Sequence, residues 1–383
     1  GKLSTDNIVT PWYYDFVARA VWEAGDGSAL EWLHDFDWPN PYPRTKEFPN
    51  LLDALLVAPA AWFLDWPQQW GFAQSMAIWV NAIGFAMLAR AVGCRNVGIA
   101  LAGCFGVLCR PLWRELVLGR MNVAWLGLIV ISLAAALEVL RLPDKQGLHW
   151  KRPLMWGVFA AFMGGASAMI YPPLLVLLVP IGLVLAWGPL FSPPENSGES
   201  GQRFQLAGLF FGSLLVGLAL AWPELQKIIA SQEGRLVCGS VACPDEYHRV
   251  LGEHLFRLEP ESRQGLSLNG VLASSVVLVP LAFLHKRRKT AFFVLLVVIV
   301  SVLMAMGPCP QWAGFERDDG WQATAHQIAL SLGGLWAQPW GQELWCRLEP
   351  LHDNGRFLAP VSVGLALLSA WGLESVAGQP ADG

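Results

Sequence analysis

The sequence is poor in charge: Lys, Arg, Asp and Glu make up 15% of its 383 residues, where a soluble domain carries about 25%. Hydrophobic residues reach 54%, and they come as long uninterrupted runs rather than amphipathic stripes, which excludes a single water-soluble core as their place. The formal net charge is −4, and the basic residues are scattered in short links with no extended positive face, so no nucleic-acid partner is expected. There is neither a glycine-rich phosphate loop nor an internal repeat, which removes a nucleotide-binding motif and inverted-repeat transporter symmetry from the reading. The absence of any Asn-x-Ser/Thr site mildly favours a bacterial source. Because the chain opens on Gly1 and a polar segment, without an initiator Met or a signal peptide, the expectation is a fragment lacking at least one N-terminal span.

What is present in quantity is apolar sequence of membrane length. A spanning helix needs roughly 20 apolar residues, and about nine stretches approach that standard: 72–93, 97–113, 121–141, 153–170, 173–191, 204–222, 266–285, 290–307 and 357–376. The expected fold class is therefore all-α, a polytopic transmembrane helix bundle with an interfacial helix and exoplasmic loops. Residues 51–66, LLDALLVAPAAWFLDW, are the doubtful stretch: short, carrying Asp53 and Asp65 and interrupted by Pro59, they read as an interfacial or re-entrant helix that does not cross.

Orientation follows from the cations in the short links, since the cytoplasmic side collects Lys and Arg. Arg141, Lys145, Lys151 and Arg152 mark one link and Lys286, Arg287, Arg288 and Lys289 another, with four predicted spans between them, an even number as a return to the same side requires. This parity puts Arg95 and the SPPENSGESGQR turn inside. Outside it puts the acid-rich first loop, residues 1–71, together with residues 114–120 and the loops 223–265 and 308–356. Residues 377–383 form a cytoplasmic tail. Glu138 and Arg90 stand out as charged residues within predicted spans, both near cytoplasmic ends. A bacterial inner membrane with its large loops in the periplasm is the expected location.

Cysteine placement accords with that sidedness. Cys238 and Cys243 share one outer loop and Cys309 and Cys346 the other, where disulfides persist, so two bridges are expected against the plainer reading of unpaired thiols. Cys94, Cys104 and Cys109 lie in or beside helices and read as packing. Of the 20 tryptophans, Trp70, Trp113, Trp187, Trp222 and Trp371 fall at predicted span ends, where interfacial anchoring accounts for them. Others in the outer loops, such as Trp32 and Trp340, suit either a sugar- or lipid-stacking groove or loop helices resting on the bilayer.

Candidate chemistry concentrates in the first loop. Within DFDWPNPYPR, Asp35 and Asp37 stand two apart, a spacing from which carboxylates in an extended or turning loop converge on one hard divalent cation; solvated loop acids are the plainer reading. In STDNIVTPWYYDFVARAVWEAG, Asp6 precedes Pro11 at a helix start, a place for a general base beside the membrane or simply for an N-cap. Arg114, Glu115 and Arg120 in RPLWRELVLGR, and His352, Asp353 and Arg356 before the last span, are candidate substrate-binding groups whose cations could hold a phosphate; interfacial capping and snorkelling explain them at least as well. His248 and His254 are six apart, where helical metal pairs use four, so they are not read as ligands.

These features in this order resemble the GT-C superfamily of polytopic glycosyltransferases, over residues 1–141 and again over 350–376. The resemblance rests on an acid after a first span, an acidic and aromatic outer loop, the segment FPNLLDALLVAPAAWFLDW before a span ending MLARAVG, and the Arg-led tail DNGRFLAPVSVGLALLSAWGLE. It implies a sugar transfer from a polyprenyl-phosphate donor to an exoplasmic acceptor. Asp6 would match the catalytic acid, and Asp35 with Asp37 the acid pair of the first outer loop, holding Mg²⁺ or Mn²⁺. The partners so implied are membrane lipids and the lipid-phosphate sugar. The double-acid or Asp-Glu signature of protein mannosyltransferases is absent. Two other classes compete: a non-catalytic scaffold of the same architecture, and a transporter, which predicts ionisable residues inside the spans.

Overall fold

The structure, a computed structural model, describes residues 18, 32–33, 42–43, 52–108, 116, 124–141, 150–168, 172–191, 197–232, 275, 277–306 and 357–377. Among these the chain is helical apart from turns and one two-residue antiparallel pairing, β1 (Trp32–Leu33) with β2 (Tyr42–Pro43), in register Trp32 to Pro43 and Leu33 to Tyr42. The helices are α1 (Leu52–Val57), α2 (Trp66–Ala91), α3 (Asn96–Leu108), α4 (Leu126–Val139), α5 (Lys151–Ala168), α6 (Pro172–Phe191), α7 (Ser197–Gln232), α8 (Arg288–Met306) and α9 (Leu358–Val376). A 3₁₀ turn, Ala58–Trp62, continues α1, and another, Ala282–Leu284, follows helical residues 277–281.

Three helical stretches are long and apolar enough to cross a membrane: Pro67–Ala91, Gly201–Trp222 and Leu358–Val376. Asn96–Leu108, Leu126–Val139 and Val176–Phe191 are apolar but shorter. The segment at 51–66 is broken: Pro59 lies in the 3₁₀ turn and α2 starts afresh at Trp66, behind Asp65 at its N-cap and with Pro in its first turn. From Leu52 to Trp62 it extends about 19 Å, at 1.5 Å per α-helical and 2.0 Å per 3₁₀ residue, under two thirds of what a span requires.

Helix α7 differs from its predicted span, 204–222, by running on to Gln232. The added residues, PELQKIIASQ, end the apolar run without ending the helix, because Glu, Leu, Gln and Lys favour helix as much as apolar residues do. The predicted 266–285 span is described only from residue 275, and its α-helix gives way to the 3₁₀ turn just after Pro280, which has no N–H to donate.

Apolar helices gain little from touching each other in lipid, so association depends on backbone approach at small residues and on buried hydrogen bonds. Both occur where α2, α3 and α4 meet. A Cβ on Gly84 would stand 2.5 Å from the Gly127 carbonyl oxygen, and one on Gly106 2.6 Å from that of Asn81. A Cβ on Gly127 would collide with the Val80 carbonyl. Between these contacts Asn81, 1% exposed, donates from Nδ2 to the Ala124 carbonyl at 2.8 Å and accepts at Oδ1 from the Gly127 N–H at 2.6 Å. The first turn of α4 has no side-chain cap of its own, so an amide from the neighbouring helix satisfies one of its orphan donors.

Every residue of α4 except Leu133 is buried, as is every residue of α9 from Leu358 to Gly372. These two helices form the interior. Helices α2, α5, α6 and α7 pack around α4, and α2, α3, α6 and α8 around α9. The outer faces of α5 to α8 carry large exposed apolar side chains, among them Met155, Phe162, Trp187, Phe204, Leu215 and Phe292. So wide an apolar belt is foreign to water-soluble monomers and suits a lipid surround.

Replacement of Asn81 by Leu orphans a buried donor and a buried acceptor at once and is expected to lower stability by about 1–3 kcal/mol. Gly127→Ala forces α2 and α4 apart and should act at least as strongly, while Phe204→Leu on the exposed belt should change stability by under about 0.5 kcal/mol. Thermal unfolding of the purified protein in detergent measures all three.

Candidate functional site

The best-defined polar structure gathers at one end of the bundle and begins at the turn from α2 to α3. Helix α2 closes in a Schellman motif: the Gly93 N–H donates to the Arg90 carbonyl at 2.8 Å and the Cys94 N–H to that of Ala89 at 2.9 Å. Gly93 has φ +77, open to glycine at no steric cost. Only four residues, 92–95, separate the helices, so the negative end of α2 lies beside the positive end of α3.

That positive end is capped from the other extreme of the chain. Glu374, in the last turn of α9, accepts the Arg95 N–H at Oε1, 2.5 Å away, and the same oxygen occupies the space a side chain on Gly98 would need. Its other oxygen faces His285 Nε2 at 3.6 Å. His285 Nδ1 accepts the Arg287 N–H at 3.3 Å, which assigns the neutral tautomer with its proton on Nε2, toward Glu374. The ring lies 14° from parallel with the buried indole of Trp371, centroids 6.4 Å apart.

Arg287 folds over Gly93, where a Cβ would come within 2.8 Å of its guanidinium. Burial lowers its pKa, with Cys94 and Glu374 opposing and Arg141 adding to the fall, and it stays cationic at neutral pH. Burial, reinforced by Glu374, pushes the Cys94 thiol up to about 12. Such a thiol is a packing group and no nucleophile.

Arg287 is also one of three arginines, with Arg141 and Arg203, lining a cavity of about 290 Å³ among the ends of α2, α4 and α6 and the start of α7. Its remaining walls are apolar, including Leu137, Leu140, Leu185 and Pro189. Glu138, buried one turn before Arg141, serves two cations from outside the cavity, Arg141 at 3.5 Å and Arg152 at 3.2 Å. A second cavity of about 290 Å³ lies among α4, α5, α6 and α7, and it is almost wholly apolar. Its two hydroxyls are engaged, Ser132 donating to the Ala160 carbonyl at 3.1 Å and Ser213 to that of Phe210 at 2.8 Å.

Every site residue expected from the sequence, namely Asp6, Asp35, Asp37, Arg114, Glu115, Arg120, His352 and Arg356, lies outside the described residues, as do the four cysteines expected to pair. Of their sequence neighbours, Leu116 accepts a hydrogen bond from Gln74 Nε2 at 3.2 Å, and Phe357 opens α9. Among the described residues no group of three or more His, Cys, Asp or Glu is placed to hold a metal. Sequence reading used Arg141 and Arg287 only as markers of sidedness and left Arg203 in a polar turn. It passed over Glu374, although an acid closing an apolar span was the available signal.

The joint carries its own test. Cys94 is expected to resist N-ethylmaleimide at mildly alkaline pH in the folded protein, and Glu374→Ala, which removes the cap on α3, should lower stability by about 1.5–3 kcal/mol and make Cys94 reactive. Peptide mass spectrometry after labelling reads the outcome, and ready labelling of Cys94 in the intact wild type would contradict it. No protein-family model, no curated protein and no solved structure matches this chain.

Proposed function

We propose that the chain is a membrane glycosyltransferase of about nine spans, moving a sugar from a polyprenyl-phosphate donor to an acceptor at the exoplasmic face. The observation that carries this reading is the gathering of Arg95, Arg141, Arg152, Arg203 and Arg287 at one end of the bundle. By the positive-inside rule that end is cytoplasmic. The long stretches 1–51, 233–274 and 307–356 then attach to helix ends at the opposite face, where the acids and loop aromatics of the first loop would meet a donor embedded in the outer leaflet. The broken segment 52–62, too short to cross, fits an interfacial helix on that side and keeps residues 1–51 exoplasmic.

In this reading Asp6 takes the proton of the acceptor as it attacks the anomeric carbon, and the lipid phosphate leaves. Asp35 and Asp37 would hold Mg²⁺ or Mn²⁺, which would supply positive charge to a leaving phosphate, with Arg114, Arg120, His352 and Arg356 as further phosphate contacts and Glu115 beside them. A transporter would need ionisable groups deep in the spans. The charged residues among the described positions stand in first or last turns and links, near a helix start like Arg203, or like Glu224 and Lys227 in the part of α7 beyond its apolar run, which favours the transferase.

Reconstitution with candidate polyprenyl-phosphate sugars tests the chemistry. Asp6→Asn keeps the shape and loses the basicity, so turnover should fall by about 10² to 10⁴ with expression intact. Asp37→Asn should weaken metal dependence and donor binding together, and Glu199→Gln should change neither. Unchanged turnover in Asp6→Asn removes it as the base. For sidedness, single cysteines introduced at residues 30 and 250 should both react with a membrane-impermeant reagent on intact cells. A sealed position 30 beside a reactive 250 would make 51–66 a span and remove the exoplasmic site.

A further inference from the structure

The two cavities are consecutive along the same three helices. On α4 the apolar cavity takes Ile129 to Ala136 and the arginine cavity continues from Leu137 to Arg141; on α6 the division falls between Leu183 and Leu185; on α7 it falls between Phe210 and Arg203. From Arg141 to Ile129 the pair extends about 18 Å along α4 at 1.5 Å per residue, close to one leaflet of a hydrocarbon core about 30 Å thick. The polar end holds three guanidinium groups and, among its described lining residues, no carboxylate. The apolar end is rimmed by Val179, Leu183, Leu214 and Leu218, each about half exposed on the outer belt, so it opens sideways to where acyl chains lie.

From this juxtaposition we propose a binding site for one anionic phospholipid of the inner leaflet, its phosphate among Arg141, Arg203 and Arg287 and an acyl chain in the groove between α4, α6 and α7. Guanidinium forks match phosphate oxygens, a cluster of three cations repels the choline of a zwitterionic headgroup and so selects one of net negative charge, and basic pockets between spans at the cytoplasmic face are suited to such headgroups. The apolar continuation distinguishes a lipid from a soluble phosphate, for which the groove would have no use. The mutual repulsion of Arg287 and Arg141, which adds to the effect of burial in lowering the pKa of Arg287, is relieved by the anion, so the bound lipid also fastens α4, α7 and the start of α8 at that end. The site lies at the face opposite the proposed transfer chemistry and does not depend on it.

The test uses the delipidated full chain in neutral detergent, with thermal unfolding followed by tryptophan fluorescence. Phosphatidylglycerol should raise the midpoint saturably, whereas phosphatidylcholine of the same chains and inorganic phosphate at equal concentration should leave it unmoved. Arg203→Gln and Arg287→Gln should each raise the half-saturating phosphatidylglycerol concentration about tenfold. Val179→Trp, which fills the mouth of the groove from an exposed position, should weaken long-chain phosphatidylglycerol and spare a short-chain form. Arg203 lies apart from the Glu374 joint, so its variant decides the matter if Arg287→Gln does not fold. An equal shift with phosphatidylcholine, an equal shift with inorganic phosphate, or unchanged half-saturation in a folded Arg203→Gln would each overturn the lipid assignment.

Discussion

Asn81 and the glycines around it set the centre of this bundle. Where every surface is apolar, the area of contact between helices does not decide which of them meet or at what register. A buried amide that must reach both the Ala124 carbonyl and the Gly127 N–H does decide it, because any slip of α2 along α4 breaks two hydrogen bonds in a place without water. Gly84, Gly106 and Gly127 let the backbones come close enough for that amide to reach. With α4 held this way, α5, α6 and α7 pack on its other sides, and both cavities are consequences of where it stands.

A second constraint acts at the cationic end. Helix α9 reaches back to the start of α3 through one carboxylate, so residues 279 apart in sequence share a hydrogen bond at a helix N-terminus. The arrangement is electrostatically coherent: the carboxylate meets the positive end of a helix dipole, faces the Nε2 of a neutral imidazole and lies within the field of Arg287. Among the described residues Glu374 and Glu138 are the acids set among the cations of this end, and Arg141, Arg203 and Arg287 line the cavity beside them. An end that is both cationic and concave is suited to recognising an anion; an evenly cationic surface would only be attracted to one.

The two proposed activities then divide the molecule by face. Transfer chemistry is assigned to the end where long acidic and aromatic segments attach, and lipid recognition to the end where the links are short and arginine-rich. The division follows from the bilayer, which collects cations on one side and leaves large loops free to fold on the other. The helices between carry their charged groups near their ends, so the membrane interior serves as scaffold and as the seat of an acyl groove.

The sequence by itself determined that the described chain is helical and of membrane length, and roughly where its helices lie, because hydropathy and the charge of short links are properties of consecutive residues. Helix and hydropathy part company in two places: the apolar run ends at Trp222, as read, while α7 continues to Gln232, and the stretch before His285 leaves the α-helix just after a proline. The tertiary structure alone decided that Arg287 folds over Gly93, that Glu374 caps α3, and that Arg141, Arg203 and Arg287 line one cavity. Each of these depends on atoms brought together from distant parts of the chain, and each residue read in its own neighbourhood is only a helix end, a terminal acid or a link cation. Local sequence carries the period and polarity of a segment, while a site is a distance between segments, and here that distance is set by glycine contacts and one buried amide.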